Sequence, residues 1–379
     1  MKKQSNFLYK TAEEKTIVWV ENSNEYVVLE NTTADIIKEI SKGISIHEIA
    51  ETLSKKLLTP LKETLDFILD IEKRFFEPKN SMKSDLLDVY KDIKTPKSFE
   101  FVKHYKVNNV VFKVSYFSEE ELSHVHPKFA HLVVENTVRF DYEFDVFIDN
   151  HFIILMVEKK LIGAWNKKNI HFFQGKFSME LIQKIHQKEE NEWMGVFHAS
   201  AISNEEKSIL LLGDSGNGKS TSLALLQAND FTCLADDFVP MDIDEKEVYS
   251  FPAAISIKKN SLQTLLPIYP ELKTTAEYYF KRLNKTVRYL KPNNTNYFKH
   301  LPCNDLVFIK YEKGADLICE KISKINALEQ LIPDSWLSPK KENAQLFLDW
   351  FDTLHCYQLT YSKNEEMIEA VSKIFKNEL

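Results

Sequence analysis

A short glycine-rich segment in the second half of the chain constrains its fold more than any other feature. Gly213, Gly216 and Gly218 fall within six positions, although the 379 residues contain only eight glycines. Together with the Lys-Ser-Thr that follows, they fit the pattern G-x-x-x-x-G-K-[ST] at every fixed position. A strand-length apolar run precedes the segment and a helix-compatible run follows it, which is the order that phosphate binding at a helix N-terminus requires. The sequence therefore predicts a phosphate-binding loop between a strand and a helix.

The chemistry of such a loop assigns roles to its side chains. Backbone N–H groups hold phosphate oxygens, Lys219 would reach the β- and γ-phosphates, and the Ser220 hydroxyl would be a ligand of Mg²⁺. The expected cofactors are ATP or GTP with Mg²⁺. An ordinary glycine turn is the structural alternative, but it would require neither the lysine nor the hydroxyl. The residues predicted to bind the nucleotide are Gly213, Asp214, Ser215, Gly216, Asn217, Gly218, Lys219, Ser220 and Thr221.

Two adjacent carboxylates, Asp236 and Asp237, follow the next apolar stretch of the chain. At the end of a strand beside a phosphate-binding loop, they would lie near the γ-phosphate and its metal ion. One carboxylate can then hold Mg²⁺, and the other can accept a proton from an attacking hydroxyl. A solvated turn is the alternative, since aspartate is common after strands.

The order of these motifs resembles a known kinase family. His198-Ala199, the loop Gly-Asp-Ser-Gly-Asn-Gly-Lys-Ser and Leu-Ala-Asp-Asp at residues 234–237 match, in order and spacing, the core of the HPr kinase/phosphorylase family. The motif core covers residues 197–240. The resemblance implies an α/β P-loop kinase of the HPr kinase/PEP carboxykinase type. By position it implies that Asp236 is the catalytic base, that His198 and Lys219 assist catalysis, and that Asp237 lies on the metal side, although the two aspartates are not firmly ranked.

The chain departs from that family directly after the acidic pair. The bacterial enzymes carry a glycine- and arginine-containing signature there, associated with dephosphorylation and with HPr docking, whereas residues 238–254 here contain no Arg-Gly. HPr is therefore not the expected substrate, and the phosphorylase reaction is not expected. The similarity is to the broader set of HPr-kinase-like proteins, some of which phosphorylate serine in peptides or free amino acids.

The N-terminal residues 1–78 predict a separate winged-helix-like α+β module. Thr16–Val20 and Tyr26–Leu29 are expected strands, and three amphipathic helices follow them. Residues 11–78 contain 14 acidic side chains and 8 Lys or Arg, so a nucleic-acid backbone would be repelled. The segment from Tyr26 onward resembles the PqqD family of peptide chaperones, which implies recognition of a peptide precursor's leader as an added strand. A structural or dimerising cap is the alternative.

The remaining regions carry weaker signals. Residues 79–98 are a predicted linker with a short helix around 82–90, and the kinase domain is expected over residues 99–379, beginning with a β-rich region. The tract Ser261–Leu290 is expected to be mostly helical and to carry cations that could stabilise transferring phosphate, or form only a solvated basic face. His124, His126 and His131 offer a weak metal-binding alternative. The cations of that tract are Lys281, Arg282, Lys285 and Arg288.

Composition narrows the cellular setting. The net charge of −7 argues against binding nucleic acid through bulk charge. No apolar run approaches the ~20 residues that span a bilayer, no secretory signal is recognised at the N-terminus, and four scattered cysteines suggest reduced thiols. We therefore expect a cytoplasmic enzyme without a membrane partner, and homo-oligomerisation is left open.

The combined prediction is a kinase that phosphorylates a Ser or Thr hydroxyl of a peptide precursor captured by the N-terminal module. A kinase for a free small molecule such as an amino acid is one alternative. A non-catalytic, nucleotide-binding peptide chaperone is the other.

Overall fold

The computed structural model describes residues 6–80, 93–135, 139–280 and 285–379. The linker helix expected around 82–90 lies outside these residues, as do Lys281 and Arg282. The strands are β1 (Phe7–Ala12), β2 (Lys15–Val20), β3 (Glu25–Glu30), β4 (Phe101–Val107), β5 (Val110–Tyr116), β6 (Val133–Val134), β7 (Tyr142–Asp149), β8 (Phe152–Val157), β9 (Lys160–Asn166), β10 (Trp193–Phe197), β11 (Ser200–Ser203), β12 (Ser208–Leu212), β13 (Thr232–Asp236), β14 (Val239–Asp242), β15 (Glu247–Tyr249), β16 (Ile255–Lys258), β17 (Tyr278–Phe280), β18 (Lys285–Leu290), β19 (His300–Tyr311), β20 (Ile318–Lys321), β21 (Trp336–Leu337) and β22 (His355–Tyr361). The helices are α1 (Asn31–Ser41), α2 (Ile46–Leu57), α3 (Leu61–Ile71), α4 (Glu77–Asn80), α5 (Glu119–Phe129), α6 (Ile170–His186), α7 (Lys219–Gln227), α8 (Leu262–Leu265), α9 (Lys324–Leu331), α10 (Lys341–Thr353) and α11 (Asn364–Phe375).

The chain divides into two compact units. One comprises Met1–Leu87 with Ile322–Thr353, and the other comprises Asp88–Lys321 with Leu354–Leu379. Both mix helices and strands, and the second contains several sheets. Of the helices that the structure describes, none is long and apolar enough to cross a bilayer.

The first unit is built on an antiparallel sheet in the order β1-β2-β3. Strands β2 and β3 and helices α1 to α3 lie where the sequence predicts two strands and three helices, and β1 is an addition. Phe7 and Tyr9 of β1 pack on the helical core of this unit. That core is formed by Ile36, Ile37, Ile40, Ile49, Ala50, Ile68, Ile71 and Phe76.

Helices α9 and α10 also belong to this first unit, although the sequence prediction placed residues 99–379 in a single kinase domain. On α10, Phe347 packs edge-on against Tyr26 at 5.1 Å between ring centroids. Asp349 of the same helix accepts a hydrogen bond from Lys10 at 3.1 Å. These contacts join residues more than 300 positions apart, so no local sequence pattern could predict them.

In the second unit, a six-stranded sheet has the order β6-β4-β5-β7-β8-β9 and accounts for the predicted β-rich region. A second sheet runs β13-β11-β12-β19-β15-β14-β10, and β22 lies parallel to β19. Strand β19 pairs in parallel with both β12 and β22. Helices α7 and α11 pack with this region around a buried core that includes Leu211, Leu223, Val307, Leu359 and Ile374.

The prediction that Ser261–Leu290 is mostly helical is wrong. This tract contains the four-residue helix α8 and then strands β17 and β18, which form an antiparallel sheet in the order β16-β18-β17. Val287 and Leu290 are both buried, and their spacing of three imitates a helical stripe. Thr286, Val287 and Tyr289 are β-branched or aromatic, and such residues favour strands.

Candidate functional site

The glycine-rich segment forms the connection between β12 and α7. Gly213, Gly216 and Gly218 have φ of +133°, +110° and +98°, where an L side chain would be strained. A Cβ on Gly213 would lie 2.5 Å from the backbone oxygen of Ile309, so this position also requires glycine for close packing. The chain can therefore turn tightly and aim the N-terminus of α7 into the site.

Lys219, the first residue of α7, is only 8% exposed. Its ammonium donates a hydrogen bond to the carbonyl oxygen of Gly213. A buried charge needs such a partner, and the bond folds the side chain back over the loop. The cation therefore lies where a phosphate held by the loop would meet it.

The loop borders a cleft of about 190 Å³. Most of the predicted nucleotide-binding residues line it, and two do not. Gly213 packs against β19, and the carbonyl oxygen of Asn217 accepts a hydrogen bond from the Tyr311 N–H at 3.0 Å. The lining residues are His198, Asp214, Ser215, Gly216, Gly218, Lys219, Ser220, Thr221, Asp237, Ser256, Lys258, Asn260, Ser261 and Lys285.

Asp236 ends β13 and is almost completely buried behind the loop. Its carboxylate accepts hydrogen bonds from the Ser200 hydroxyl at 2.6 Å, the Ser220 hydroxyl at 3.1 Å and the Ser256 N–H at 3.0 Å. Burial, with a further contribution from the charge of Asp237, raises the pKa of Asp236 to about 6 in spite of these donors. The first aspartate is thus connected directly to the hydroxyl predicted to bind the metal ion.

Asp237 differs from its neighbour because it lines the cleft. Its φ is +63°, and its carbonyl oxygen lies 3.3 Å from Nδ1 of His198. Burial acts to raise the pKa of Asp237, but Lys128, His198, Lys285 and Lys219 outweigh it and hold the pKa below its ordinary value. A carboxylate among cations therefore faces the space that a substrate would occupy.

Several site residues have no sequence motif. Ser200, Ser256 and Lys258 reach the site from β11 and β16, and Ser261 accepts a hydrogen bond from Thr221 at 2.7 Å. They are brought together by strand pairing between distant segments, which a local pattern does not reveal. Among the cations singled out from the sequence, Lys285 lines the cleft. Arg288 instead pairs with Glu277 at 2.9 Å.

The three histidines of the metal-binding alternative do not form a ligand cluster among the described residues. Nδ1 of His126 lies 2.9 Å from the Tyr105 hydroxyl, and burial lowers the pKa of His131 to about 4. A different group, Glu245, Glu247 and His300, has ligand atoms within 4.8 Å of one another. Nδ1 of His300 lies 2.5 Å from the Glu247 carboxylate, so a direct hydrogen bond already links two of its three members.

No protein-family model matches the chain, and no curated protein matches it.

Proposed function

We propose that the protein is a P-loop phosphotransferase that moves the γ-phosphoryl group of ATP or GTP to a Ser or Thr hydroxyl. One observation carries this proposal: Lys219, Ser220 and Asp237 line a single cleft, and Asp236 lies directly behind it, hydrogen-bonded to Ser220. Phosphoryl transfer needs a phosphate cradle, a metal site and a group that accepts the hydroxyl proton. A phosphate-binding loop alone would fit many nucleotide-binding proteins, but the two carboxylates beside it favour a transferase.

The donor set near the loop fits Mg²⁺. This ion prefers oxygen ligands in compact octahedral geometry and keeps several waters. Ser220 and Asp236 supply a hydroxyl and a carboxylate whose oxygens are 3.1 Å apart. In P-loop enzymes the loop hydroxyl and an aspartate from a neighbouring strand share this task. We therefore assign the metal side to Ser220 and Asp236, and the bound ion would neutralise charge on the β- and γ-phosphates.

Asp237 is then our choice for the catalytic base, which reverses the assignment made from the sequence. A pKa near 6 would suit Asp236 for that role, but its carboxylate is buried and accepts bonds from three donors. A base must come within hydrogen-bond reach of its proton, so access to the cleft decides in favour of Asp237. During transfer, the acceptor oxygen bonds to the γ-phosphorus, the bond to the bridging oxygen breaks, the nucleoside diphosphate leaves and the hydroxyl proton passes to Asp237.

The neighbouring residues have supporting roles in this scheme. Lys219 stabilises the negative charge of the transferring phosphoryl group. The N–H groups of the loop bind the oxygens of that group and need not reorganise during the reaction. His198 contacts the backbone of Asp237 and is proposed to position it. No disulfide joins the four cysteines, all of which lie in the described part of the chain, and this fits the proposed cytoplasmic location.

The first test is binding of the nucleotide itself. We expect calorimetry to detect Mg²⁺–ATP or Mg²⁺–GTP, and nucleotide at 100 times its Kd should stabilise the fold by about 2.7 kcal/mol. Without Mg²⁺ the stabilisation should shrink, since Ser220 and Asp236 would lose their shared ion. A folded wild type that binds neither nucleotide would remove the kinase proposal.

For the acceptor, we propose a peptide whose leader adds to the first unit as a further strand. Strand β3 lies at one edge of the β1-β2-β3 sheet, and edge strands offer backbone groups for such pairing. A captured leader would raise the local concentration of the attached hydroxyl to about millimolar for a short flexible linker.

Proline substitutions along β3 test this capture. Successive N–H groups of a strand point to opposite edges, so one of Val27→Pro and Val28→Pro breaks the ladder to β2 and the other removes an outward donor. The first variant should melt at lower temperature. The second should keep its fold and its nucleotide affinity but raise KM for a full precursor peptide by about tenfold, roughly the effect of 1.4 kcal/mol.

A leaderless peptide is the matched control, because its KM should not change in either variant. If the fold-preserving variant handles the full precursor as the wild type does, or if a free amino acid is the better acceptor, leader capture is wrong. The small-molecule kinase would then replace it.

A further inference from the structure

Lys258 is the last residue of β16 and lines the same cleft as Lys219. Its ammonium donates a hydrogen bond to the Ser215 hydroxyl at 2.9 Å, and Ser215 belongs to the phosphate-binding loop. Ile255 and Ile257, which precede it, are both buried. Because side chains alternate across a strand, this anchoring directs Lys258 toward the cleft.

The cleft concentrates positive charge around this position. Lys219, Lys258 and Lys285 all line it, and Asp214 and Asp237 are the only carboxylate residues in the described lining. Burial is the largest cause of the lowered pKa of Lys258, and the charges of Lys285 and Lys219 lower it further against the opposing charge of Asp237. Ammonium groups that repel one another in this way would be stabilised by an anion placed among them.

We propose that Lys258 is a catalytic residue that contacts the terminal phosphoryl group of the nucleotide, together with Lys219. This inference rests on the proposed kinase function. A phosphate-binding loop of this kind encloses the β- and γ-phosphates, so a cation 2.9 Å from one of its hydroxyls is within reach of the γ-phosphate oxygens. The ammonium moves no proton: it stabilises charge on the transferring oxygens while the bridging bond breaks.

The role predicts a difference between diphosphate and triphosphate ligands. Calorimetry should compare Mg²⁺–ADP with the Mg²⁺ complex of the non-hydrolysable imido analogue of ATP, or the guanine pair if that base is preferred. Lys258→Ala should weaken the triphosphate analogue by about tenfold or more, as expected for a lost hydrogen bond to a charged group. Its affinity for the diphosphate should stay within about twofold, because no γ-phosphate is present.

Two further variants serve as controls for Lys258→Ala. Lys259→Ala removes the next lysine, which is exposed and does not line the cleft, so both affinities should remain those of the wild type. Lys258→Arg should recover part of the triphosphate affinity because it restores a cation. If Lys258→Ala does not fold, Lys258→Met keeps the apolar stem and serves in its place.

The outcomes separate this inference from the kinase proposal. Equal losses for diphosphate and triphosphate, or no loss for either, would overturn the γ-phosphate contact while leaving nucleotide binding intact. A folded wild type that binds neither ligand would overturn the kinase proposal, and the role of Lys258 with it.

Discussion

Replacing Asp237 with Asn should lower the rate of phosphoryl transfer by at least about 10²-fold, the low end of a general-base contribution. The amide is nearly the same size as the carboxylate but cannot accept the hydroxyl proton. Nucleotide affinity should change little, because Asp237 is assigned to the acceptor and not to the phosphates. Single-turnover transfer, together with calorimetry of nucleotide binding, measures the two effects separately.

Asp236→Asn is the paired control, and it should fail in a different way. An amide can still accept a hydrogen bond from Ser200 or Ser220 but binds Mg²⁺ poorly, so activity should require a higher Mg²⁺ concentration and recover in part when it is supplied. If Asp237→Asn is fully active while Asp236→Asn is inactive at every Mg²⁺ concentration, the original assignment from sequence is right. Asp236 would then be the base.

Lys219→Ala should lower turnover by about 10²–10³-fold, the usual cost of losing one fixed donor to developing charge. Nucleotide binding should weaken as well, because the ammonium meets both terminal phosphates. The fold should survive, because the partner of Lys219 is a single backbone carbonyl, that of Gly213. Circular dichroism and the melting temperature check that survival, and wild-type activity in the folded variant would contradict the proposed cradle.

The loop could be predicted because all of its information is local. Three glycines with positive φ, a lysine and a hydroxyl all lie within residues 213–220, where β12 ends directly before the first glycine and α7 begins at the lysine. The same holds for Asp236 and Asp237 as a pair. The difference in burial between the two carboxylates could not be predicted, because it depends on other strands, which also supply the donors of Ser200 and Ser256.

Other differences between the sequence predictions and the structure also arise from contacts between distant parts of the chain. The cleft-lining position of Lys258 depends on how β16 is placed beside the loop, which no short motif encodes. The helical prediction for 261–290 failed because two buried residues three apart in a strand imitate a helix. The sequence prediction treated residues 99–379 as one kinase domain and therefore included 322–353. This segment was assigned wrongly because the residues that α10 contacts, such as Tyr26, lie at the other end of the sequence.

The membership of Ile322–Thr353 in the first unit has a consequence for biosynthesis. Domains commonly fold in order as they leave the ribosome, at about 5–20 residues per second. Here β1 to α4 emerge early, but the surface that Phe347 and Asp349 cover must wait until nearly the whole chain is made, on the order of tens of seconds later. During that interval Tyr26 lacks its ring partner, so nascent chains stalled before residue 322 should be the ones that proteases and chaperones engage.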